Sequence, residues 1–372
     1  MAHALRLAER GLFTTQPNPR VGCVIAHGEE VVGCGWHQRP GEAHAEVWAL
    51  RDAGARARGA TAFVTLEPCS HHGRTPPCSD ALIAGGLKRV VVACEDPFPE
   101  VAGRGLAGLR EAGLVVETGL MRDAARELNR GFFSRIERGR PWVRLKLATS
   151  LDGRSALSGG ESKWITGDVA RADVQRWRAR SSAILTGSGS GRLDDPRLTV
   201  RLDSTEVAPP LRVLLDTRLD ALPEEAKLLD GSAPTLIVHA EHALPAHEGY
   251  TRVERLSFPL RDGRIPLGPV LKALAQRGVN ELQVEAGPKL CGSLFDAGLV
   301  DELLWYVAPL LLGDSAQSAL TLPPLEAISS CWRLEVVEQR RVGQDTRYLL
   351  RPKMPHQAGA DAVTGNGDFA TS

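Results

Sequence analysis

Apolar positions along the first 135 residues fall into short runs separated by polar, glycine-marked breaks. Residues 21–26 and 30–35 read as two strands around a His27-Gly28 turn. Residues 43–53 carry apolar side chains at helical spacing and stop at Gly54. β-rich runs at 61–66 and 89–94 predict further strands, and helices are predicted at 79–84, 106–112 and 120–134. Apolar strands followed by helices are the pattern of a layered α/β fold. The run Glu137-Arg138-Gly139-Arg140-Pro141 punctuates that pattern and marks a domain boundary. A strand at 142–148 restarts the alternation, followed by a helix at 168–179 and strands at 183–185, 211–216, 235–239 and 281–285. A helix at 289–297, a strand at 303–308 and a hairpin of 334–339 with 346–350 complete it. The expected division is 1–138, 141–353 and a small, polar tail at 354–372, expected to be disordered.

Composition narrows the function classes. The chain has 372 residues, with 45 Lys plus Arg against 45 Asp plus Glu. A nucleic-acid binder needs a local excess of cations to neutralise phosphates, and the balance here gives no sign of one. No apolar run approaches the ~20 residues of a membrane helix. The first residues hold no apolar signal core, so no secretion signal is expected. Seven scattered cysteines without framework spacing suit a reducing cytoplasm.

The candidate chemistry starts with His44-Ala45-Glu46 at the head of a predicted helix. Pro68-Cys69 follows a predicted strand, and Cys78 lies nine positions further on. One His and two Cys make three ligands and leave zinc's fourth tetrahedral position to water. Zinc lowers the pKa of that water to ~7. Glu46, two residues from His44, can carry the proton without being a ligand. Each piece has a plainer reading, a helix surface for the triplet and buried small hydrophobes for the cysteines. In this order, with Pro before the first Cys, the set points to zinc. The Cys69–Cys78 loop also holds His71 and His72, either an alternative ligand or a polar residue facing substrate. Asn18, between two prolines, could read the donor–acceptor edge of a heterocycle or serve as an ordinary turn residue.

The segments PNPRVGCV, GEAHAEVWAL and TLEPCSHHGRTPPCSDALI resemble the deaminase half of the bacterial bifunctional riboflavin-biosynthesis deaminase–reductases. RLKLATSLDGRSA, SGGESKWITG, LDDPRLTVR and VEAGPKLCGSLFDAGLVDELLWYVAPLLLG resemble their reductase half. The resemblance runs from about residue 2 to residue 352. It implies a cytidine-deaminase-like three-layer α/β/α domain followed by a dihydrofolate-reductase-like α/β domain. The first would hydrolyse the 2-amino group of a diaminopyrimidinone carrying a ribosylamino 5′-phosphate. The second would use NADPH to reduce the ribosyl group of that product to ribityl. A homo-oligomer, dimer or tetramer, through the second domain is expected.

The resemblance also implies site residues. Zinc falls to His44, Cys69 and Cys78, with Glu46 catalytic. Substrate falls to Ser162, Arg178, Leu198, Arg201 and Glu285, with Asn18 added from the reading above. NADPH falls to Ala148, Trp164, Ser190, Asp194 and Thr217, and to Gly287, Pro288, Lys289, Leu290, Cys291, Gly292 and Ser293. A strand end running into a helix start at Glu285–Ser293 suits a pyrophosphate, although it is no Gly-x-Gly-x-x-Gly motif. Trp164 could equally be core. Lys146 and Asp194 are candidates for proton movement during reduction. Phe98 stands where the family usually has Asn, and Gly189-Ser190-Gly191-Arg192-Leu193 replaces a bulkier loop, with the extra glycine expected to loosen it. Three competing readings remain: a deaminase of guanine or tRNA adenosine, a non-enzymatic sensor around structural zinc, and the same family with one inactive domain, against which no deaminase catalytic residue is missing.

Overall fold

The computed structural model describes residues 1–70, 77–98 and 102–353. His71, His72 and the tail expected at 354–372 lie outside the described residues.

The first half is built on a hairpin. β1 (Gly22–His27) pairs antiparallel with β2 (Glu30–Trp36), Cys23 facing Gly35 and His27 facing Glu30. β3 (Thr61–Val64) adds antiparallel to β1, and β4 (Arg89–Val92) and β5 (Val115–Thr118) follow in parallel. The sheet order is β2-β1-β3-β4-β5. α1 (Ala2–Glu9) covers one face, packing Ala4 and Leu7 on Val24. α2 (Ala45–Ala53), α3 (Cys78–Ala84) and α4 (Arg104–Glu111) bury Ala49, Leu82 and Leu109 on the other face, against Cys23, Ile25, Val64 and Val90. α5 (Arg122–Leu128) and α6 (Arg130–Arg138) join α1's side around Phe132, Phe133 and Ala125. The result is a three-layer α/β/α domain.

Two glycines set the depth at which α2 sits. A Cβ on Gly33 would meet the backbone oxygen of Ala49 at 2.3 Å, and one on Gly35 that of Ala45 at 2.3 Å. Only bare backbone lets the helix settle this close to β2, and the first turn of that helix carries His44 and Glu46.

The second half is a nine-stranded sheet of order β11-β10-β9-β8-β12-β6-β13-β16-β15. β6 (Trp142–Ser150) leads, and a short β7 (Arg154–Ala156) follows. β8 (Ala183–Gly187), β9 (Leu211–Leu215), β10 (Thr235–Ala240), β11 (Glu254–Phe258), β12 (Glu281–Val284) and β13 (Glu302–Ala308) run parallel with β6. β14 (Gln317–Ser318) pairs with β7, and β15 (Leu334–Val342) and β16 (Asp345–Pro352) form the closing antiparallel hairpin. The helices are α7 (Asp168–Arg180), α8 (Ser188–Asp194), α9 (Leu267–Gln276) and α10 (Pro288–Asp296). Parallel strands buried on both faces read as continuous apolar runs, and β12 is buried at every position.

Three expectations change. The helix predicted over 120–134 is two helices, because the Asn129 side chain leaves the helical path to bond the Arg20 backbone in both directions (2.8 and 2.9 Å). Residues 188–194 form a helix, not a loosened loop. Gly191 is buried there, and a Cβ on it would come within 3.2 Å of Leu214 and Leu222, so this glycine permits close packing. Trp164 is 69% exposed and so is not core.

The halves meet through charge. Arg20 donates to Glu281 (2.8 Å) and Arg130 to Glu302 (3.0 Å), while Arg144 and Arg180 converge on the same carboxylates. Arg135 donates to Asn280 (2.6 Å). Each hydrophobic cluster among the described residues stays on one side of the 138–142 junction. No helix among the described residues is long and apolar enough to cross a membrane.

Candidate functional site

The eight-residue connection from β2 to α2 ends with His44 at the N-cap of α2, its backbone extended (φ −75°, ψ 167°), and Glu46 follows in the first turn. Cys69 leaves the end of the β3 segment, and Cys78 opens α3. The Cys78 backbone N–H donates to Cys69 Sγ at 3.3 Å, and Ser79 donates to the Cys69 carbonyl, which fixes the two sulfurs relative to each other. His44 Nδ1 lies 3.2 Å from Cys78 Sγ and 3.6 Å from Cys69 Sγ. The three ligand atoms all lie within 4.8 Å of one another.

The surroundings fit a zinc ion. Imidazole and thiolates are its preferred donors, and three of them leave a position open. Glu46 is 3% exposed, and its Oε2 has no hydrogen-bond partner. An unsatisfied buried carboxylate oxygen is costly unless something occupies the space it faces. Burial drives the Glu46 carboxyl up to about 7, against the downward pull of His44. The hydrogen bond from Cys78 is the main cause that lowers Cys69 to about 4, and the same bond, with burial, raises Cys78. Without a cation the pair therefore holds one proton between two sulfurs.

A cavity of about 330 Å³ opens over this set, lined by Asn18, His37, His44, Glu46, Glu67 and Cys69 among others. Asn18 Nδ2 lies 3.1 Å from His37 Nε2. His37 Nδ1 faces the Ala43 carbonyl at 3.4 Å, which as a pure acceptor places the ring proton on Nδ1. Asn18 then donates to Nε2. Glu67 and His37 were not singled out in the sequence. Glu67 is buried and accepts from the backbone of Asp96, Gly103, Gly105 and Leu106, tying the Pro68-Cys69 segment to α4. A carboxylate directly before Pro-Cys, at the end of an apolar run, is the signal that could have found it. His37 carries no such signal.

The second half holds a cavity of about 1190 Å³ across the carboxyl ends of β6, β8, β9 and β12. Open parallel sheets bind ligands at these ends. Ala148, Ser162, Trp164, Arg178, Ser190, Asp194, Leu198, Thr217 and Glu285 line it, as do Gly287, Pro288, Lys289, Leu290 and Ser293. Arg201, Cys291 and Gly292 are not among the lining residues. Arg201 is exposed and uses its backbone N–H on Gln175. Cys291 is fully buried and donates to the Ala286 carbonyl. A Cβ on Gly292 would meet the Thr321 oxygen at 2.0 Å, so that glycine serves packing.

Arg178 grips Glu285 through both carboxylate oxygens (2.7 and 2.8 Å) and also donates to Thr199. Burial would raise Glu285, but Arg178, Lys146 and Gln283 hold it at about 2. Burial lowers Lys146, with Glu285 opposing. The cavity fits a dinucleotide by one further observation: Gly287 caps α10 with no side chain, leaving the backbone N–H groups of Lys289 and Leu290, after Pro288, to an anion.

These features define a class: a metal-dependent deaminase domain fused to an α/β reductase domain. The model of the cytidine and deoxycytidylate deaminase zinc-binding region matches residues 1–94, and that of the RibD C-terminal domain matches residues 141–348. The riboflavin biosynthesis protein RibD of Escherichia coli K12 is 49% identical over 356 residues, covering 93% of this chain and 96% of that protein. A solved RibD of Acinetobacter baumannii superposes with TM-score 0.88 at 44% identity, covering 95% of this chain and 98% of that one. A Thermotoga maritima structure, described as a diaminohydroxyphosphoribosylaminopyrimidine deaminase/5-amino-6-(5-phosphoribosylamino)uracil reductase, gives TM-score 0.85 at 32% identity, over 95% and 97% of the two chains. The chain belongs to the RibD family of bifunctional deaminase–reductases of riboflavin biosynthesis, whose cofactors are zinc and NADPH.

Proposed function

We propose that the two cavities catalyse consecutive steps on one phosphorylated pyrimidine. In the first, the C2–NH₂ bond of 2,5-diamino-6-(5-phosphoribosylamino)pyrimidin-4-one is hydrolysed, leaving a carbonyl and ammonia. In the second, the ribosyl group of 5-amino-6-(5-phosphoribosylamino)uracil gains a hydride and a proton to become ribityl. The observation that carries this reading is the convergence of His44, Cys69 and Cys78 beside a buried Glu46 with one free oxygen.

His44, Cys69 and Cys78 would hold zinc, which when bound would supply a water acidified to a pKa of ~7. Glu46, with its carboxyl near 7, takes the proton from water and returns it to the leaving amine. Asn18, donating to His37, offers its oxygen to a ring N–H. NADPH supplies the hydride of the second step. Gly287, Pro288, Lys289, Leu290 and Ser293 would hold its pyrophosphate at the start of α10, and Ala148, Trp164, Ser190, Asp194 and Thr217 would hold its remainder. Arg178 keeps Glu285 ionised for the open-chain sugar, with Ser162 and Leu198 beside it and Arg201 at the outer edge for phosphate. Lys146, its pKa lowered by burial, is the proton source, with Asp194 the alternative.

The activities divide at about 139–141. The compartment is the cytoplasm, supported by seven free cysteines, and the assembly a homo-oligomer through the second half, read by size-exclusion light scattering.

The test uses purified, zinc-loaded protein and the diaminopyrimidinone phosphate. Ammonia release without NADPH, then absorbance loss at 340 nm only after deamination, is the expected order. Absorbance loss on the undeaminated compound would reverse the order, and no ammonia would remove the first activity.

A further inference from the structure

Six cationic side chains line the wide cavity: Lys146, Lys163, Arg171, Arg178, Arg264 and Lys289. Three are engaged. Arg178 is spent on Glu285 and Thr199, Arg171 on Asp168, the Thr166 carbonyl and the Trp164 ring, and Lys146 faces Glu285. Lys289 sits in the first turn of α10, and Lys163 in the segment that follows β7. Arg264 alone comes from the opposite edge of the parallel strands, after β11. Between β6 and β11 lie five strand spacings, about 24 Å at ~4.8 Å each. The reacting end is at Lys146 and Glu285, on β6 and just past β12. A dinucleotide with its pyrophosphate at α10 therefore extends its adenosine past Thr217, at the end of β9, toward Arg264.

Arg264 is also held ready. Arg261 and Arg264 exchange backbone hydrogen bonds of 2.9 Å, and Asp262 and Gly263 between them have φ of +49° and +71°. That is the tight two-residue hairpin turn whose backbone leaves little freedom at its ends. The Arg264 guanidinium has no ion-pair partner among the described residues. The other arginines near Thr217 are tied: Arg218 and Arg192 both pair with Asp220 (3.1 and 3.2 Å), and neither lines the cavity. A planar guanidinium matches a phosphate monoester dianion, and among the described residues lining the cavity Arg264 is the arginine without an ion-pair partner.

We infer that Arg264 recognises the 2′-phosphate of NADPH and so sets the preference over NADH. This rests on reading the wide cavity as the dinucleotide site. Isothermal calorimetry on wild type and Arg264→Ala tests it directly, using NADP⁺, NAD⁺, adenosine 2′,5′-bisphosphate and 5′-AMP. A lost charge-assisted contact weakens NADP⁺ and the bisphosphate about 10- to 100-fold. NAD⁺ and 5′-AMP should bind as before, with an unchanged melting temperature. Lys163→Ala, at the far end, should leave the NADP⁺/NAD⁺ ratio where it is. Equal weakening of NADP⁺ and NAD⁺, no weakening at all, or a ratio moved by Lys163→Ala would each overturn the assignment while leaving the cavity a dinucleotide site. Wild-type protein that binds neither nucleotide would overturn the cavity reading as well.

Discussion

Glu46 and Glu285 are the same residue type, both withdrawn from solvent, and they are shifted in opposite directions. At Glu46 burial outweighs the downward pull of His44, and the carboxyl rises to about 7. Glu285 has the Arg178 fork and Lys146, which outweigh burial and bring it to about 2. The first can exchange a proton near neutrality, and the second stays charged. What separates the two carboxyls is the strength of the cationic partner set against burial.

The comparison can be broken most sharply at Glu46. Glu46→Gln keeps the shape and removes the proton carrier, so ammonia release should fall by roughly 10²–10⁴-fold. Bound zinc, measured by atomic absorption, and reduction of supplied deaminated product should not change. Loss of both activities would mean that Glu46 supports structure rather than chemistry. Arg178→Ala should do the reverse. It leaves the half-buried Glu285 at the cavity wall without its fork, which costs about 1–3 kcal/mol for a polar group left unpaired. Urea unfolding reads that loss, and Arg178→Lys should recover part of the stability but not the reductase KM.

The pH dependence of stability sharpens the contrast next. In zinc-free protein the folded Glu46 binds its proton more tightly than the unfolded chain does. Its contribution is therefore complete below pH 4.5 and disappears as pH rises toward about 7. The amplitude is about 3 kcal/mol. Glu285 runs the other way: its contribution is complete above pH 4.5 and disappears as pH falls toward about 2. Denaturant midpoints from pH 4 to 8 should show the first slope in wild type and not in Glu46→Gln. The smallest effect belongs to Asn18. Asn18→Ala removes one hydrogen bond, worth about 1 kcal/mol, and should raise the deaminase KM several-fold with the reductase unmoved.

The zinc set was legible because its members come in short, chemically distinctive spacings: His44 with Glu46, and Pro68 with Cys69. The wide cavity was not legible from pattern, since it is assembled from strand ends far apart in sequence, and only the resemblance named its residues. Even then Cys291 and Gly292 came with the motif although they face Ala286 and Thr321. Strands β5 and β11 were missed for a physical reason: both lie at sheet edges and bury little, so no alternation marks them. The break at Asn129 depends on Arg20, more than a hundred residues away, and no local propensity encodes it.

The seam between the halves has an evolutionary reading. Its contacts are guanidinium–carboxylate pairs and neutral hydrogen bonds such as Asn280 to the Pro17 carbonyl, and no hydrophobic cluster among the described residues crosses it. Severing the chain between Arg138 and Trp142 would uncover ionic groups that water can solvate, not an apolar scar that invites aggregation. Gene fission, or grafting of either half onto a different neighbour, would thus expose polar faces at this seam. The charges that join the two enzymes are also what makes them transferable.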